Sequence, residues 1–235
     1  MKEKYKANET ISYDRIVFIA KDIKGLITEP IKTKRHTITI ECNGEVKVKI
    51  NEGKALREDD FNIGSNAENT KAYINELLIK YQLDFIKFVT IERVVDINTE
   101  FRAIDNQTIF KTFYNAIGKL KFRDTNIATN NDGNYDKKKL KGVKGYRRDK
   151  EIKLYSKFEE KGISSDKDFV RLELIHKSRL LPNMNIDDLS ELKDIKLEFL
   201  EIISCWENEI PIKLNRYTKP VKTIIDSMKN KVLKS

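Results

Sequence analysis

A tyrosine between two lysines stands in a segment whose apolar and polar residues alternate, as they do in a half-buried β-strand. In residues 151–157 (EIKLYSK), Lys153, Tyr155 and Lys157 are predicted to share one face, because side chains two residues apart point the same way. A phenolate can attack a phosphate and hold it as a phosphotyrosyl ester, and neighbouring ammonium groups favour the phenolate and bind phosphate oxygens. The segment is therefore a candidate site of covalent phosphate chemistry.

Two further alternating segments supply charged partners for such chemistry. In residues 169–174 (FVRLEL), Arg171 and Glu173 are predicted to lie opposite the apolar residues, and in residues 88–101 the acidic side chains fall on one face. Carboxylates suit Mg²⁺ or Mn²⁺, hard cations that take oxygen ligands and polarise a scissile phosphate. A half-solvated antiparallel sheet without any chemistry shows the same alternation and is the alternative for each residue. The predicted metal ligands are Glu92, Asp96 and Glu173.

A basic segment with interleaved tyrosines leads into the Tyr155 strand. Cations contact phosphates while bases stack on aromatic rings, so this composition favours single-stranded nucleic acid. A solvated loop rich in lysine is the equally simple alternative. The predicted nucleic-acid-binding residues are Lys137, Lys138, Lys139, Lys141, Lys144, Tyr146, Arg147, Arg148 and, from the later strand, Arg171.

Composition indicates a basic protein of a reducing compartment. The 235 residues carry a net charge of +9, which favours polyanionic partners. Cys42 and Cys205 form no metal-type pair and no disulfide framework. The sequence contains no apolar run near the roughly 20 residues of a membrane span, no signal peptide core and no glycine-rich phosphate loop. We therefore expect a cytoplasmic protein, and NTP hydrolysis is disfavoured.

The elements that must position these residues alternate between strands and helices. A hairpin is predicted around Asn43 and Gly44, because a type I′ turn requires positive φ at both positions. Hairpins favour an antiparallel sheet, so the predicted class is α+β with helices packed on one face. Residues 1–182 are predicted to form this domain and residues 183–235 a basic, helical C-terminal segment. The predicted strands are 13–20, 36–42, 45–50, 88–101, 142–147, 151–158 and 169–174; the predicted helices are 69–85, 106–117, 188–205 and 219–234; residues 118–144 carry the weakest signal.

The order of these segments resembles the replication initiators of the filamentous-phage gene II/X family and, more remotely, the plasmid rolling-circle initiators. The resemblance implies a Rep/relaxase-like nicking fold in which Tyr155 nicks DNA and stays linked to its 5′ phosphate, with Asp96 in a supporting metal role. It spans residues 88 to 181. Its motifs are Val95-Asp96-Ile97, Lys153-Leu154-Tyr155-Ser156-Lys157, Val170-Arg171-Leu172-Glu173 and Arg179-Leu180-Leu181.

The chain departs from the family pattern in three ways. Arg93 stands three residues before Asp96 rather than two, and the position of the plasmid relatives' nucleophile is held by Phe158 or Glu159. The paired histidines of the wider nicking superfamily are replaced by two isolated ones. Of these, His36 is the better candidate ligand, and His176 is predicted to pack with the apolar set of its strand.

Three hypotheses follow. The first is a phage or plasmid rolling-circle initiator, a metal-dependent DNA-nicking endonuclease and strand transferase that acts on single-stranded or hairpin origin DNA, with a host helicase as a candidate partner. The second is a catalytically silent nucleic-acid-binding protein of initiator fold, such as a repressor or a phage-encoded inhibitor. The third is an accessory protein whose basic surface meets an acidic protein.

Overall fold

A computed structural model describes residues 10–52, 64–120, 122–129, 140–191 and 193–235, with the backbone alone considered at residues 123–129, 140 and 141. Strands and helices interleave within these ranges, which confirms the predicted α+β class. The strands are β1 (Ser12–Asp22), β2 (Ile31–Lys32), β3 (His36–Ile40), β4 (Glu45–Asn51), β5 (Leu83–Thr99), β6 (Arg123–Thr129), β7 (Leu140–Tyr146), β8 (Lys150–Ser156) and β9 (Asp168–Lys177). The α-helices are α1 (Ala67–Tyr81), α2 (Thr108–Lys119), α3 (Lys157–Glu160), α4 (Lys193–Glu207) and α5 (Thr218–Lys234).

The nine strands found among the described residues form a sheet in the order β2-β3-β4-β1-β5-β9-β8-β7-β6. Strand β1 pairs antiparallel with β4 and β5, β3 pairs antiparallel with β2 and β4, and β7 pairs antiparallel with β6 and β8. The predicted antiparallel arrangement is thus confirmed, as is the helical character of the C-terminal segment. Within the described ranges, no helix combines the length and apolar character that crossing a bilayer requires.

The chain divides into two compact units, each with its own apolar core. Unit 1 comprises residues 1–11, 95–174 and 193–235, and unit 2 comprises residues 12–94 and 175–192.

In unit 1, the apolar faces of β8 and β9 are covered by helices α2, α4 and α5. Ile152 and Leu154 of β8 are fully buried in this core. Trp206 of α4 packs edge-on against Phe113 of α2, with ring centroids 5.0 Å apart. Its indole N–H donates to Thr112 Oγ1 at 2.8 Å, so the one polar atom of the ring is satisfied inside the core. The alternation of β8 therefore leaves Tyr155 on the opposite side from Ile152 and Leu154.

Unit 2 contains the predicted hairpin and a separate core. Asn43 and Gly44 have φ values of 62° and 73°, so the expected positive φ at both positions is confirmed. Phe18 of β1 lies against Phe88 of β5 with ring centroids 6.4 Å apart. Strand β5 carries an extra residue, Val89, at an irregularity of the β1–β5 register. This shift brings Phe88 into the core, whereas strict alternation through Ile91 would have placed Val89 there.

The predicted boundaries fail where a local backbone feature overrides hydrophobic periodicity. Helix α1 ends at Tyr81 because Gln82 adopts the left-handed conformation (φ 53°), and β5 begins directly afterwards at Leu83. The helix predicted to reach residue 85 is therefore too long. Residues 123–129 form β6, a strand that the sequence did not predict, since its composition (RDTNIAT) lacks an apolar alternation.

Candidate active site

Strands β8 and β9 of unit 1 place a phenol directly against a carboxylate. The Tyr155 hydroxyl donates a short hydrogen bond to Glu173 Oε1. Lys153 Nζ donates to the second oxygen of the same carboxylate at 2.6 Å, and Lys157 Nζ lies 3.1 Å from the Tyr155 oxygen. The structure thus brings four of the predicted site residues together. We call Lys153, Tyr155, Lys157 and Glu173 the Tyr155 cluster.

Lys157 reaches the cluster by a route that alternation did not predict. Strand β8 ends at Ser156, and Lys157 is the first residue of α3 rather than a strand residue. Ser156 caps this helix by accepting a hydrogen bond from the backbone N–H of Glu159 at 3.0 Å, and its own hydroxyl donates to Asp168 at 2.5 Å. The cap fixes the turn from which the Lys157 side chain returns to the Tyr155 oxygen.

The cluster is less accessible than the predicted half-solvated sheet face. Lys157 is 3% exposed and Glu173 is 2% exposed, while Lys153 and Tyr155 are half-buried. The expectation of an open, solvated face is therefore wrong for these residues. Ion pairs and hydrogen bonds within the cluster take the place of water, because a buried charge is tolerated only when it is paired.

Burial and the charge of Glu173 raise the pKa of the Tyr155 hydroxyl well above its ordinary value, and the opposing effect of Arg171 does not offset them. This corrects the expectation that the flanking lysines hold a phenolate. Burial by itself would raise the pKa of Glu173, but the charges of Lys153 and Arg171 and the hydrogen bonds from Lys153 and Tyr155 outweigh it and lower that pKa. In the resting cluster the proton therefore stays on the tyrosine and the carboxylate is ionised.

Asp96 and Arg171 form a second feature of unit 1, a buried ion pair. Arg171 is fully buried and its Nε and Nη2 donate to the two oxygens of Asp96 at 2.7 and 2.8 Å. Lys231 of α5 donates to the backbone carbonyl of Asp96 at 2.5 Å. The bidentate geometry occupies both Asp96 oxygens, and the guanidinium presents no surface to a nucleic acid. We therefore omit Asp96 from the proposed metal ligands and Arg171 from the proposed nucleic-acid contacts.

Glu92 belongs to unit 2, where it is 3% exposed and pairs with Arg15 at 2.5 Å. A second carboxylate of that unit, Asp14, has an oxygen within 4.8 Å of a Glu92 oxygen. Asp14 was missed from the sequence because strict alternation places it with Ile16 on the core side of the first strand. Asp14 is an extra residue of β1 at an irregularity of the β1–β5 register. Because of this irregularity, Tyr13 rather than Asp14 lies in the core with Ile16.

Taken one by one, the predicted metal ligands differ in how well they suit a divalent cation. Glu92 and Glu173 are buried carboxylates, and an ionised carboxylate has more lone-pair positions than one ion pair uses. Oxygen donors of this kind are what Mg²⁺ and Mn²⁺ prefer. Asp96 is the poorest of the three, because a fully buried guanidinium holds both of its oxygens; Glu173 shares part of this disadvantage, since Tyr155 and Lys153 each occupy one of its oxygens. The assignment of Glu92 and Glu173 to a divalent cation stays a prediction from the sequence.

Both histidines are engaged in side-chain contacts within unit 2. His176 is buried with its Nδ1 3.3 Å from Arg93 Nη1. His36 Nδ1 lies 2.7 Å from the Tyr73 hydroxyl, and His36 Nε2 lies 3.3 Å from the Tyr81 hydroxyl. Neither histidine takes part in a group of three possible metal ligands among the described residues. The packed role predicted for His176 matches its placement, and His36 is held by two tyrosines.

The environment of His36 predicts a pH-dependent stability. Burial, followed by the charges of Lys80 and Arg35, lowers the pKa of His36 below its ordinary value of 6.5. Between the two pKa values, the unfolded chain binds a proton at His36 that the folded protein does not bind. The resulting stabilisation of the folded state is complete above pH 6.5 and is lost as the pH falls from there through the lower folded pKa. We expect the free energy of unfolding of the parent to decline over that range by up to about 1.4 kcal/mol per pH unit.

His36→Gln is the matched variant for that measurement. Urea unfolding of the full chain, followed by circular dichroism across the range, should show a shallower pH dependence for the variant than for the parent. Equal pH dependence of the two proteins would contradict the assignment to His36.

A glycine of β7 makes room for the tyrosine. Gly142 lies directly across from Tyr155 in the β7–β8 register. A Cβ atom at Gly142 would stand 2.6 Å from Tyr155 Cβ and 2.8 Å from the Leu154 carbonyl oxygen, closer than real contacts allow. We expect Gly142→Ala to push the tyrosine away from Glu173 and to lower the free energy of unfolding by about 1–3 kcal/mol.

Gly118→Ala in α2 is the control for this change, because a Cβ there meets no atom within 4 Å. It should stabilise the protein by roughly 0.5–1 kcal/mol, since alanine is the better helix former. Thermal unfolding of the two variants separates the outcomes, and a neutral Gly142→Ala would refute the steric argument.

The predicted basic segment is described in part. Lys144 pairs with Glu151 at 2.8 Å and Arg147 with Asp149 at 3.2 Å, whereas Arg148 is exposed. These pairs are partly exposed and leave the cations able to meet phosphates, since surface ion pairs are weak. The nucleic-acid role of the segment stays a prediction. Lys137, Lys138 and Lys139 lie outside the described residues, Lys141 is described by its backbone in β7, and Tyr146 is half-buried.

No protein-family model and no curated protein matches the chain. Among solved structures, the chain is similar to the rolling circle replication initiator protein from Geobacillus stearothermophilus, with a TM-score of 0.49 and 11% sequence identity. The match covers 93% of this chain and 96% of that one.

Proposed function

We propose that this protein nicks and rejoins a DNA strand through Tyr155, as a rolling-circle replication initiator does. The observation that carries the proposal is the Tyr155 cluster: a phenol hydrogen-bonded to an ionised carboxylate, with Lys157 Nζ 3.1 Å from the phenol oxygen. The motif resemblance around Tyr155 and the net charge of +9 support it independently.

The raised pKa of Tyr155 assigns a role to Glu173 in this reaction. As the phenol oxygen bonds to phosphorus it loses its basicity, and its proton then passes to the Glu173 carboxylate, which already accepts that hydrogen bond; the lowered pKa of Glu173 opposes the transfer before that bond forms. The bond from phosphorus to the tyrosine oxygen forms and the bond to O3′ breaks. The electron pair leaves with O3′, which takes a proton from water and becomes a 3′ hydroxyl; the hydroxide so formed takes the proton from Glu173, and the carboxylate is restored. Rejoining is the reverse attack of that hydroxyl on the phosphotyrosyl ester.

The two lysines of the cluster act on charge in this scheme. Lys157 stands beside the oxygen that becomes bonded to phosphorus, and Lys153 holds Glu173 in place at 2.6 Å. Both cations favour the extra negative charge of the transition state. A divalent cation, Mg²⁺ or Mn²⁺ with Glu92 and Glu173 as predicted ligands, would supply further charge stabilisation at the phosphate. Single-stranded or hairpin origin DNA is the proposed substrate, and a host helicase is a predicted partner.

The test is a search for the covalent intermediate. The full chain is incubated with labelled single-stranded origin DNA and Mn²⁺, and the products are separated under denaturing conditions. We expect a labelled band at the mass of the protein, and mass spectrometry of its peptides should place the nucleotide on Tyr155. A nucleotide found on another residue, or no band with any origin sequence of the replicon that encodes the protein, would refute the proposal.

A second candidate function is binding of nucleic acid without catalysis. The observation that favours it is that the polar groups of the resting cluster already pair with one another. Tyr155 is protonated, and Glu173 accepts hydrogen bonds from both Lys153 and Tyr155. This alternative predicts salt-sensitive binding of the same DNA that is independent of Mn²⁺ and yields no covalent band.

A further inference from the structure

A groove in unit 1 shares no lining residue with the Tyr155 cluster. It lies between the end of β5 and the first turns of α5 and has a volume of about 440 Å³. Its floor is apolar, with Ile97 and Ile224 buried beneath it. Hydroxyl side chains of α5, those of Thr223 and Ser227, stand beside the apolar floor. A site with an apolar floor and a few polar groups at its edge is typical of small-ligand binding.

The groove carries positive charge. Arg216 and Lys219 line it at the start of α5, and both side chains are exposed. Glu100, its one carboxylate, accepts a hydrogen bond from Lys167, which balances its charge. The two cations at the helix start are therefore available to a ligand. Arg216 stands in the turn before α5 and Lys219 in its first turn, and both line the same groove.

The turn that presents these cations is held by Asn215. The Asn215 side-chain oxygen accepts hydrogen bonds from the backbone N–H groups of Tyr217 at 2.9 Å and Thr218 at 3.1 Å. Thr218 Oγ1 in turn accepts from the Asn215 N–H at 2.8 Å. This reciprocal cap fixes the backbone on both sides of Arg216. A preorganised turn lowers the entropic cost of binding.

An aromatic ring stands next to the cations. Tyr217 is 51% exposed, and the Arg216 guanidinium carbon lies 4.6 Å from the centre of its ring. An exposed ring with a cation against it offers a stacking surface for a nucleobase and a contact for the phosphate that follows.

We propose that a nucleotide unit binds here, with its phosphate on the groove residues Arg216 and Lys219 and its base against the exposed ring of Tyr217, which is not itself part of the groove lining. The unit is supplied either by a strand of single-stranded DNA or by a free nucleotide, since both present the same chemistry. The site does not depend on the chemistry of Tyr155, so it goes beyond the nicking proposal.

The test compares two charge reversals on the same helix. Binding of a labelled oligothymidylate to the full chain is measured by fluorescence anisotropy at several salt concentrations, in the Tyr155→Phe background so that no covalent product forms. Lys219→Glu should weaken binding about tenfold, the loss expected for one charge-assisted contact. It should also reduce the slope of log affinity against log salt by about 0.7. Lys234→Glu, at the exposed far end of α5, is the control and should change binding far less.

Competition identifies the source of the nucleotide. Displacement of the oligothymidylate by thymidine 5′-monophosphate supports a free-nucleotide site, and displacement by unlabelled oligothymidylate alone supports a strand. Equal effects of Lys219→Glu and Lys234→Glu would overturn the proposal, as would competition by unphosphorylated thymidine as strong as that by the monophosphate. A missing covalent band at Tyr155 would refute the nicking proposal and leave this one standing, so the two failures are distinguishable.

Discussion

Tyr155→Phe is expected to abolish the covalent protein–DNA band while leaving the fold intact. The variant keeps the ring and removes only the oxygen that would bond to phosphorus, so adduct formation should fall by a factor on the order of 10³ or more. The lost hydrogen bond to the Glu173 carboxylate should lower the free energy of unfolding by about 1.5–3 kcal/mol. The measurement is band intensity against time, normalised to the folded protein determined by circular dichroism.

Lys153→Met serves as the control for Tyr155→Phe. It removes a neighbour of Glu173 but keeps the nucleophile, so a covalent band should persist at reduced intensity. A Tyr155→Phe variant that forms the band as fast as the parent would show that the nucleophile has been wrongly assigned. A variant that loses the band together with its circular dichroism signal would point instead to a structural role for the ring, and Tyr155→Trp would then be the next comparison.

The largest effect on stability is expected from Arg171→Met. Methionine keeps the aliphatic bulk of the side chain, but it leaves the Asp96 carboxylate buried without its cation. Removing one partner of a buried ion pair costs about 3–5 kcal/mol, because the remaining charge loses its counter-ion and stays shielded from water. Thermal or urea unfolding of parent and variant measures this loss.

The double variant Asp96→Leu/Arg171→Met is the informative comparison. Replacing both partners removes the uncompensated charge, so the double variant should be more stable than either single variant. If the two single losses simply add in the double variant, the pair does not act as a unit. The variant Lys231→Met, which removes a hydrogen bond to the Asp96 carbonyl, should cost far less, about 0.5–1.5 kcal/mol.

The sequence predicted the fold wherever hydrophobic periodicity decides the structure. The apolar face of β8 and the paired positive φ values of the Asn43–Gly44 turn follow from local patterns, and both are found. Hydrophobic periodicity places residues wrongly where an extra strand residue or a left-handed residue interrupts the regular backbone. The extra residue at Asp14 and the left-handed Gln82 each shift or end an element without a strong signal in composition.

The candidate site shows a different limit of sequence reasoning. Alternation correctly places Tyr155 and Glu173 on polar faces of their strands, and the strand pairing brings them into contact. It cannot say whether such a face is solvated or buried, because that depends on how the side chains pair with one another. Arg171 and Asp96 satisfy each other in the interior. Arg171, which the sequence predicted to be an accessible cation, is therefore part of a buried ion pair. The pKa of Tyr155 is raised, whereas the two flanking lysines suggested that it would be lowered.

Trp206 offers a practical route to these measurements. It is the single tryptophan of the chain and lies in the core of unit 1, against Phe113. Its intrinsic emission, excited where tyrosine does not absorb, therefore reports the environment of that unit alone. Arg171→Met should shift the emission midpoint to lower urea, whereas the acid sensitivity assigned to His36 is followed in the dichroism signal. One unlabelled sample thus gives two spectroscopic signals: tryptophan emission from the core of unit 1 and circular dichroism from the whole chain.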